Sequence, residues 1–308
     1  MVGGIALEDY LCASNSMSDE LIDLMCTCFG NPRWFVEFIF ENGLDLNNCY
    51  ICVKENKIVS ALHVIPIEVI LDNISLKSGY IYGACTLPEH RKQGYMSNLL
   101  RFVQGRFVQN NYDCLCLRPA RPKLKRFYSK FGYWDFFKSK QFSLSKQELT
   151  DYISNSKQNL NKNPEIDFSC LEKSRNEFYN SKNYVKYNLK YLNFLSDLYE
   201  CADGGAVTFE NNHVYCTCNV LPELKLLDFT CECSKTKKLL REVYDKFPDF
   251  ETYTIETHPD SKFLDNLDKN KHKLYYNSMI LCLNQKTEEL ARKAQKQKKF
   301  PYLGITFE

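Results

Sequence analysis

Between Cys49 and Leu87 the chain holds three strand-like runs separated only by short polar turns, and few folds accommodate that pattern. Cys49–Lys54 and Ile58–Leu71 are joined through Glu55, Asn56 and Lys57, a hairpin signal. Asp72-Asn73 then turns the chain into Ile74–Leu87, rich in β-branched and aromatic residues. Downstream the pattern alternates: a helix over Met96–Asn110, a strand over Tyr112–Leu117, a helix over Pro122–Phe131 and a strand over Trp134–Leu144. Upstream, Leu21, Met25 and Cys28 share a face of a helix over Ser18–Phe29, and Asn31-Pro32 opens a second helix that ends at Gly43. Hairpins followed by alternating helices and strands indicate an α/β (α+β) domain.

Residues 145–170 turn polar and Asn/Lys-rich, the best candidate for a boundary. Beyond them the order repeats more loosely. A helix is expected over Tyr184–Cys201 and a hairpin from Gly204–Glu210 and His213–Val220. Strand Lys225–Cys233, helix Lys235–Phe247, strand Thr252–Thr257, helix Ser261–Leu267 and strand Leu274–Leu283 follow. A charged helix over Thr287–Lys299 leads to the apolar run Phe300–Glu308. The expected division is a first domain over 1–150, a linker over 151–170 and a second domain over 171–308.

With 308 residues, 44% hydrophobic and 25% charged, the chain has an ordinary globular composition. Forty basic residues against 38 acidic ones leave a net charge of +2, so no chain-wide footprint for nucleic acid exists. No run reaches the roughly 20 apolar residues of a membrane span. The start, MVGGIALEDYL, lacks the basic and apolar regions of a signal peptide, and a cytoplasmic protein is expected. Fifteen cysteines include Cys26/Cys28, Cys114/Cys116, Cys216/Cys218 and Cys231/Cys233 at C-x-C spacing. Cys49/Cys52 is the single C-x-x-C knuckle, with no second knuckle or paired histidine to complete a zinc site. Reduced thiols packed as small hydrophobes are expected, and no metal. His63, His90, His213, His258 and His272 show no ligand spacing.

Chemistry concentrates in Gly79–Trp134. The strand GYIYGACTL runs into Pro88-Glu89-His90-Arg91-Lys92-Gln93-Gly94-Tyr95-Met96-Ser97, and a helix follows. Successive backbone N–H groups opening onto a helix N-terminus make an anion cradle. Gly94 permits close backbone approach, and Arg91 and Lys92 add positive charge. Taken alone, Arg91-x-x-Gly94 also fits a plain solvated connection.

Strand, R-x-x-G, helix, strand, then Tyr128-Ser129-Lys130-Phe131-Gly132-Tyr133 and a further strand resembles the GCN5-related N-acetyltransferase (GNAT) superfamily over residues 50–145. More narrowly, PEHRKQGYMSNLL and the second α/β half resemble the Eis-like (enhanced intracellular survival) two-domain subgroup, here without its sterol-carrier domain. The resemblance implies two tandem GNAT-like domains with mixed sheets flanked by helices, the first catalytic. The second would be degenerate, because its corresponding turn, Cys233-Ser234-Lys235-Thr236-Lys237-Lys238, has no glycine.

The function implied is acetyl-CoA-dependent N-acetyl transfer to a primary amine, by direct attack on the thioester. The amine could belong to a small amine, polyamine, aminoglycoside, peptide or lysine. The alternative is a non-catalytic CoA-binding sensor or scaffold, for which Met96 leaves room because the family pattern has Gly or Ala there. Acetyl-CoA would be held by Arg91, Lys92, Gln93, Gly94, Tyr95, Met96 and Ser97, with the strand Ala84, Cys85, Thr86 and Leu87 binding its acyl and pantetheine groups. Tyr128 would be the acid that protonates the leaving thiolate, and the terminal carboxylate of Glu308 would serve the incoming amine. Glu37, Glu41 and Glu68 are further candidates to line the acceptor cleft. The basic run Arg118–Lys130 reads as a solvated face, as counter-charge for the coenzyme's 3′-phosphate-ADP, or as a nucleic-acid contact. No nucleic-acid or membrane partner is expected, and assembly into a homo-oligomer would fit the relatives.

Overall fold

The computed structural model describes residues 8–154, 171–209, 212–220, 222–262 and 272–305. It is a mixed α/β protein of two compact units. The first comprises Met1–Glu68, Leu76–Trp134 and Met279–Ala291, and the second Val69–Ser75, Asp135–Ser278 and Arg292–Glu308. The division therefore does not run linearly along the chain, as the 1–150, 151–170 and 171–308 partition would have it.

In the first unit, α1 (Ser18–Phe29) and α2 (Arg33–Asn42) precede a meander. Helix α1 buries Leu21, Ile22, Leu24 and Met25 at helical spacing and stops at Gly30, whose φ of +75° is a left-handed cap. Strands β2 (Cys49–Lys54), β3 (Lys57–Leu71) and β4 (Ile74–Thr86) are joined by two tight turns. In each turn both central residues have positive φ, 51° and 60° at Glu55-Asn56 and 47° and 63° at Asp72-Asn73. That geometry matches the twist of a two-residue hairpin, and Asn and Asp tolerate it well. Strand β1 (Glu8–Cys12), which its polar start concealed, adds antiparallel to β2.

Helix α3 (Tyr95–Gln109) carries the chain over to β5 (Cys114–Leu117), parallel to β4. It buries Tyr95, Leu99, Leu100, Val103 and Phe107. A short helix α4 (Leu124–Ser129) follows, narrower than the span expected. On the other side of β5 lies not the next strand in sequence but Met279–Cys282, antiparallel to it.

Strand β6 (Trp134–Ser145) belongs, after its first residue, to the second unit. The polar stretch that follows is not all linker. Helix α5 (Lys146–Ile153) begins with a capping box between Ser145 and Glu148 and buries Leu149 and Ile153. Helix α6 (Leu171–Tyr179) and strand β7 (Tyr184–Lys186) come next, so the helix expected from Tyr184 starts later, as α7 (Leu189–Glu200). Asn188 caps it by accepting from the Tyr191 N–H at 2.8 Å.

Strands β8 (Gly205–Phe209), β9 (Asn212–Val220) and β10 (Glu223–Thr230) form a second antiparallel meander. Helix α8 (Thr236–Lys246) then leads to β11 (Thr252–Thr257), parallel to β10, and β6 pairs antiparallel with β11. The unit thus repeats the order of the first: two helices, a three-stranded meander, a helix, and a strand parallel to the third. Strand β12 (His272–Cys282) and helix α9 (Gln285–Lys296) complete the described elements. The helix expected over Ser261–Leu267 lies mainly outside the described residues, and Ser261 and Lys262 are not helical.

An ion pair sits in the core of the second unit. Arg175 and Asp228 have side chains with no exposure and meet at 2.6 Å (Nε to Oδ2) and 3.2 Å (Nη2 to Oδ1). Arg175 also donates to the Val185 carbonyl at 2.7 Å, and the Tyr179 hydroxyl donates to Asp228 at 3.1 Å. The residues after α9 close over this pair. Pro301–Ile305 are buried, Tyr302 bridges to Tyr184, and the Tyr187 hydroxyl donates to the Leu303 carbonyl at 2.8 Å. Gly304, at φ +79°, has no room for a side chain, because a Cβ would stand 2.6 Å from Arg175 Nη2. Among the described residues of the apolar run, Pro301–Ile305 are thus a packed segment with one β-bridge, at Tyr302.

Burial alone would raise the Asp228 pKa, but the Arg175 charge and hydrogen bonds outweigh it and hold the carboxyl well below the usual range. A carboxylate depressed in the folded state contributes stability above its unfolded pKa of about 3.9, and loses it as the pH falls through and below that value. Asp228→Asn strands the Arg175 charge and is expected to cost about 3–5 kcal/mol in urea denaturation at pH 7. The difference between parent and variant should shrink as the pH is taken below 4.

Candidate functional site

The parallel ladder between β4 and β5 runs from Ser78↔Cys114 to Ile81↔Leu117 and stops. Beyond Ile81, β4 continues to Thr86 while β5 ends, so the two strands part. Gly83 lies just past the split with φ +62°, a left-handed kink in the strand. The Leu87 N–H donates to the Val59 carbonyl of β3 at 3.0 Å, and the Ser60 hydroxyl reaches the Cys85 carbonyl at 2.8 Å. Because backbone groups alternate along a strand, the polar groups of Ala84 and Thr86 lie on the opposite edge, the one β5 has left. Within Ala84–Leu87, Cys85 and Leu87 therefore turn their backbone groups toward β3, and Ala84 and Thr86 turn theirs to the other edge.

The chain leaves β4 through a 3₁₀ turn, Pro88–His90, and enters α3 through two left-handed residues, Lys92 at φ +65° and Gly94 at φ +97°. Arg91 Nε donates back to the Thr86 carbonyl at 3.0 Å, and Gln93 Nε2 to the Glu89 carbonyl at 3.0 Å, which fixes the loop. Tyr95 is buried and its hydroxyl lies 3.3 Å from Gln93 Oε1. The Asn98 N–H opens the helix ladder, donating to the Gly94 carbonyl at 3.0 Å. Gly94 supplies no side-chain cap, so the N–H groups of Tyr95, Met96 and Ser97 have no intrahelical acceptor.

Those N–H groups, the partial positive end of the helix and the flanking Arg91 and Lys92 form a pocket of donors. A Cβ built on Gly94 would meet no protein atom within 4 Å, so the glycine is required by backbone angle and leaves its face open to a ligand. Met96 is part-buried and packs against the cluster that includes Leu99, Leu100, Val103 and Tyr128. In the second unit the corresponding position is Lys235, at φ −103°, and the left-handed entry is missing.

Tyr128, on α4, is 9% exposed and packs edge-on against Phe127 (5.2 Å) and Tyr133 (6.0 Å). Its hydroxyl bonds to none of the described residues. Burial pushes its pKa up to about 12, so the phenol is protonated across the physiological range. Gly132, at φ +87°, turns the chain tightly under it, and a Cβ there would press on Leu281 at 3.0 Å.

Three features escaped the sequence reading. Gly83 was readable as an isolated glycine inside a strand. His63, on β3, is buried with both ring nitrogens unpartnered, its ring edge-on to Phe40 at 5.3 Å. A Cβ on Gly83 would lie 3.6 Å from His63 Nδ1, which places the imidazole beside the kink. Burial lowers its pKa to about 3 and keeps it neutral. Cys28, at the end of α1, is a half-buried thiol within hydrogen-bonding reach of Cys85 and Arg91. Neither of these two had a local signal.

Other expectations are placed as follows. Glu37 is tied to Arg33 at 2.7 Å, Glu41 is exposed, and Glu68 is part-buried on β3. Glu308 lies outside the described residues. Cys49 and Cys52 are both buried but belong to separate clusters, since residues three apart on a strand face opposite sides. They do not form a knuckle. Arg121, Lys123, Arg126 and Lys130 are exposed. Among the described residues no helix is long and apolar enough to cross a membrane, and no group of three His, Cys, Asp or Glu side chains is arranged to hold a metal.

Residues 12–136 match the family model described as an acetyltransferase (GNAT) domain. The chain is similar in structure to a GCN5-related N-acetyltransferase from Anabaena variabilis, with a TM-score of 0.69 and 15% identity over 90% of this chain and 73% of that one. The corresponding protein from Kribbella flavida gives 0.67 and 14% over 89% and 71%. Eis1 from Mycobacterium abscessus gives 0.64 and 11% over 92% and 76%. At these identities the likeness establishes the fold. No curated protein matches the sequence significantly.

Gly94→Ala should strain the left-handed entry without a clash. We expect a loss of about 1–2 kcal/mol in urea denaturation, with unchanged circular dichroism.

Proposed function

We propose, from the premise that this chain carries a GNAT acetyltransferase domain over residues 12–136 and is an acyltransferase, that it transfers an acetyl group from acetyl-CoA to a primary amine. The observation that carries the reading is the uncapped, left-handed entry to α3, set beside the split between β4 and β5. Bound there, acetyl-CoA supplies a thioester whose acyl carbon is open to a nucleophile. The N–H groups of Gln93, Gly94, Tyr95, Met96 and Ser97 would hold its diphosphate, with Arg91 and Lys92 beside them. The backbone N–H groups of Ala84 and Thr86 face the split and would receive the acyl oxygen and a pantetheine amide.

The amine nitrogen would attack the acyl carbon directly, the C–N bond forming as the C–S bond breaks, and the proton the nitrogen sheds would restore the Tyr128 phenol once that has protonated the sulfur. Tyr128 holds its phenolic proton ready for the departing sulfur. A thiol has a pKa of about 8.5 in water and the buried phenol about 12, so this proton transfer requires the same apolar surroundings to raise the departing thiol as they raise the phenol. The second unit serves as a degenerate copy that lends the fold its other half. Met96 packs in part against the apolar cluster, which favours the catalytic reading over a non-catalytic CoA sensor.

Calorimetry with acetyl-CoA, and thiol release with a panel of primary amines, test the reading. Tyr128→Phe should lower kcat by about 10²- to 10⁴-fold and leave acetyl-CoA affinity unchanged. Gly94→Asp places a carboxylate against the diphosphate and should weaken acetyl-CoA binding at least about tenfold. A parent protein that binds no CoA derivative overturns the proposal.

A further inference from the structure

Cys28 and Cys85 meet where α1 ends above the exit of β4. Both belong to the apolar cluster of Leu21, Leu24, Met25 and Leu87, Cys85 within it and Cys28 against it. Cys85 is 7% exposed and its carbonyl is fixed by the Ser60 hydroxyl at 2.8 Å, so this sulfur is held in place and shielded. Cys28 is half-buried and open to small solutes. Behind it stands Arg91, itself braced on the Thr86 carbonyl at 3.0 Å, with Glu89 as the opposing charge. An accessible sulfur beside a guanidinium, with a second thiol in contact, is the arrangement of a peroxide-reactive pair.

We propose that Cys28 and Cys85 are an oxidation site, Cys28 reacting with a hydroperoxide and Cys85 closing the disulfide. The Cys28 thiolate attacks one peroxide oxygen, the O–O bond breaks, and the hydroxide released takes up a proton to leave as water. Cys28 is then a sulfenic acid. The Cys85 sulfur, giving up its proton, attacks the Cys28 sulfur; the S–O bond breaks, a second water leaves and the S–S bond forms. Two thiols are oxidised and one peroxide is reduced. The hydrogen bond from Cys85 and the charge of Arg91 outweigh burial and Glu89 and bring the Cys28 pKa down to about 7, whereas Cys85 is raised well above the usual thiol range. The attacking and resolving roles follow from access and are reinforced by that difference.

The bridge would pin the end of α1 to the strand that leads into the Arg91–Ser97 loop. Its bearing on the coenzyme rests on the reading proposed above, in which Arg91 lies beside the diphosphate.

The test treats the reduced full-length protein with hydrogen peroxide at pH 7, blocks remaining thiols with iodoacetamide and maps the peptides. A Cys28–Cys85 cross-linked peptide should form on the order of fivefold faster than oxidation of the exposed thiols Cys201 and Cys233, the gain in thiolate being partly offset by lower nucleophilicity. In Cys85→Ser, dimedone should label Cys28 and no cross-link should form. Cys28 consumed no faster than Cys201, or carried to the sulfinic acid without a cross-link in the parent, overturns the proposal. Saturating acetyl-CoA should slow the reaction at least about tenfold by covering Arg91. If the cross-link forms but acetyl-CoA gives no protection, the thiol pair stands and the placement of the coenzyme falls.

Discussion

A parallel pair of strands that stays together for four residues and then separates sets the terms for everything around it. Had the ladder from Ser78↔Cys114 continued past Ile81↔Leu117, the edge of β4 would be saturated with hydrogen bonds and nothing could dock there. Because it stops, the backbone of Ala84 and Thr86 is left facing a gap, and Gly83 can kink without breaking a pairing on that side. The same strand delivers the chain into a left-handed turn at Lys92 and Gly94, whose shape points the first N–H groups of α3 outward. The helix start and the strand edge are set by the path of the main chain, and Ala84, Met96 and Tyr128 share one apolar cluster.

The second unit shows what happens when that place is closed. Its meander carries His213 on the middle strand and Asp228, at φ +51°, on the third, as the first unit carries His63 and Gly83. There the Thr230 hydroxyl lies 2.8 Å from His213 Nδ1, and the Asp228 carboxylate and Arg175 fill the remaining space. The first unit has a glycine where the second has the aspartate, and its histidine keeps both nitrogens unpartnered. A common framework is packed as a salt-bridged core in one case and left with a polar deficit in the other.

The sequence made the scaffold visible and the site only in part. Hairpins were legible because Asn56, Asp72 and Asn73 supply turns of known geometry between apolar runs. Helix α5 was passed over because its polar face resembles a linker, although Ser145-x-x-Glu148 and the Leu149/Ile153 spacing announce a capped helix. Strand β7 reads as part of a helix in the sequence because Tyr184, Tyr187 and Tyr191 recur at helical spacing. The Arg91–Ser97 loop is legible because its pattern, Arg91-x-x-Gly94 before a helix, is carried by neighbours in sequence. Arg175 and Asp228 lie 53 residues apart, and Cys28 and Cys85 are similarly remote, so only the fold reveals that they touch. That the Leu87 N–H is engaged by the Val59 carbonyl is likewise visible only in the fold.

The pairing of β5 with Met279–Cys282 has a bearing on how the polypeptide is made. Leu117 leaves the ribosome long before Met279 does, and at about 5–20 residues per second the delay is on the order of ten seconds or more. During that interval β5 presents a bare, apolar border of Cys114, Leu115, Cys116 and Leu117 to the cell. A nascent chain in that condition carries an unpaired edge until β12, the last described strand, is made.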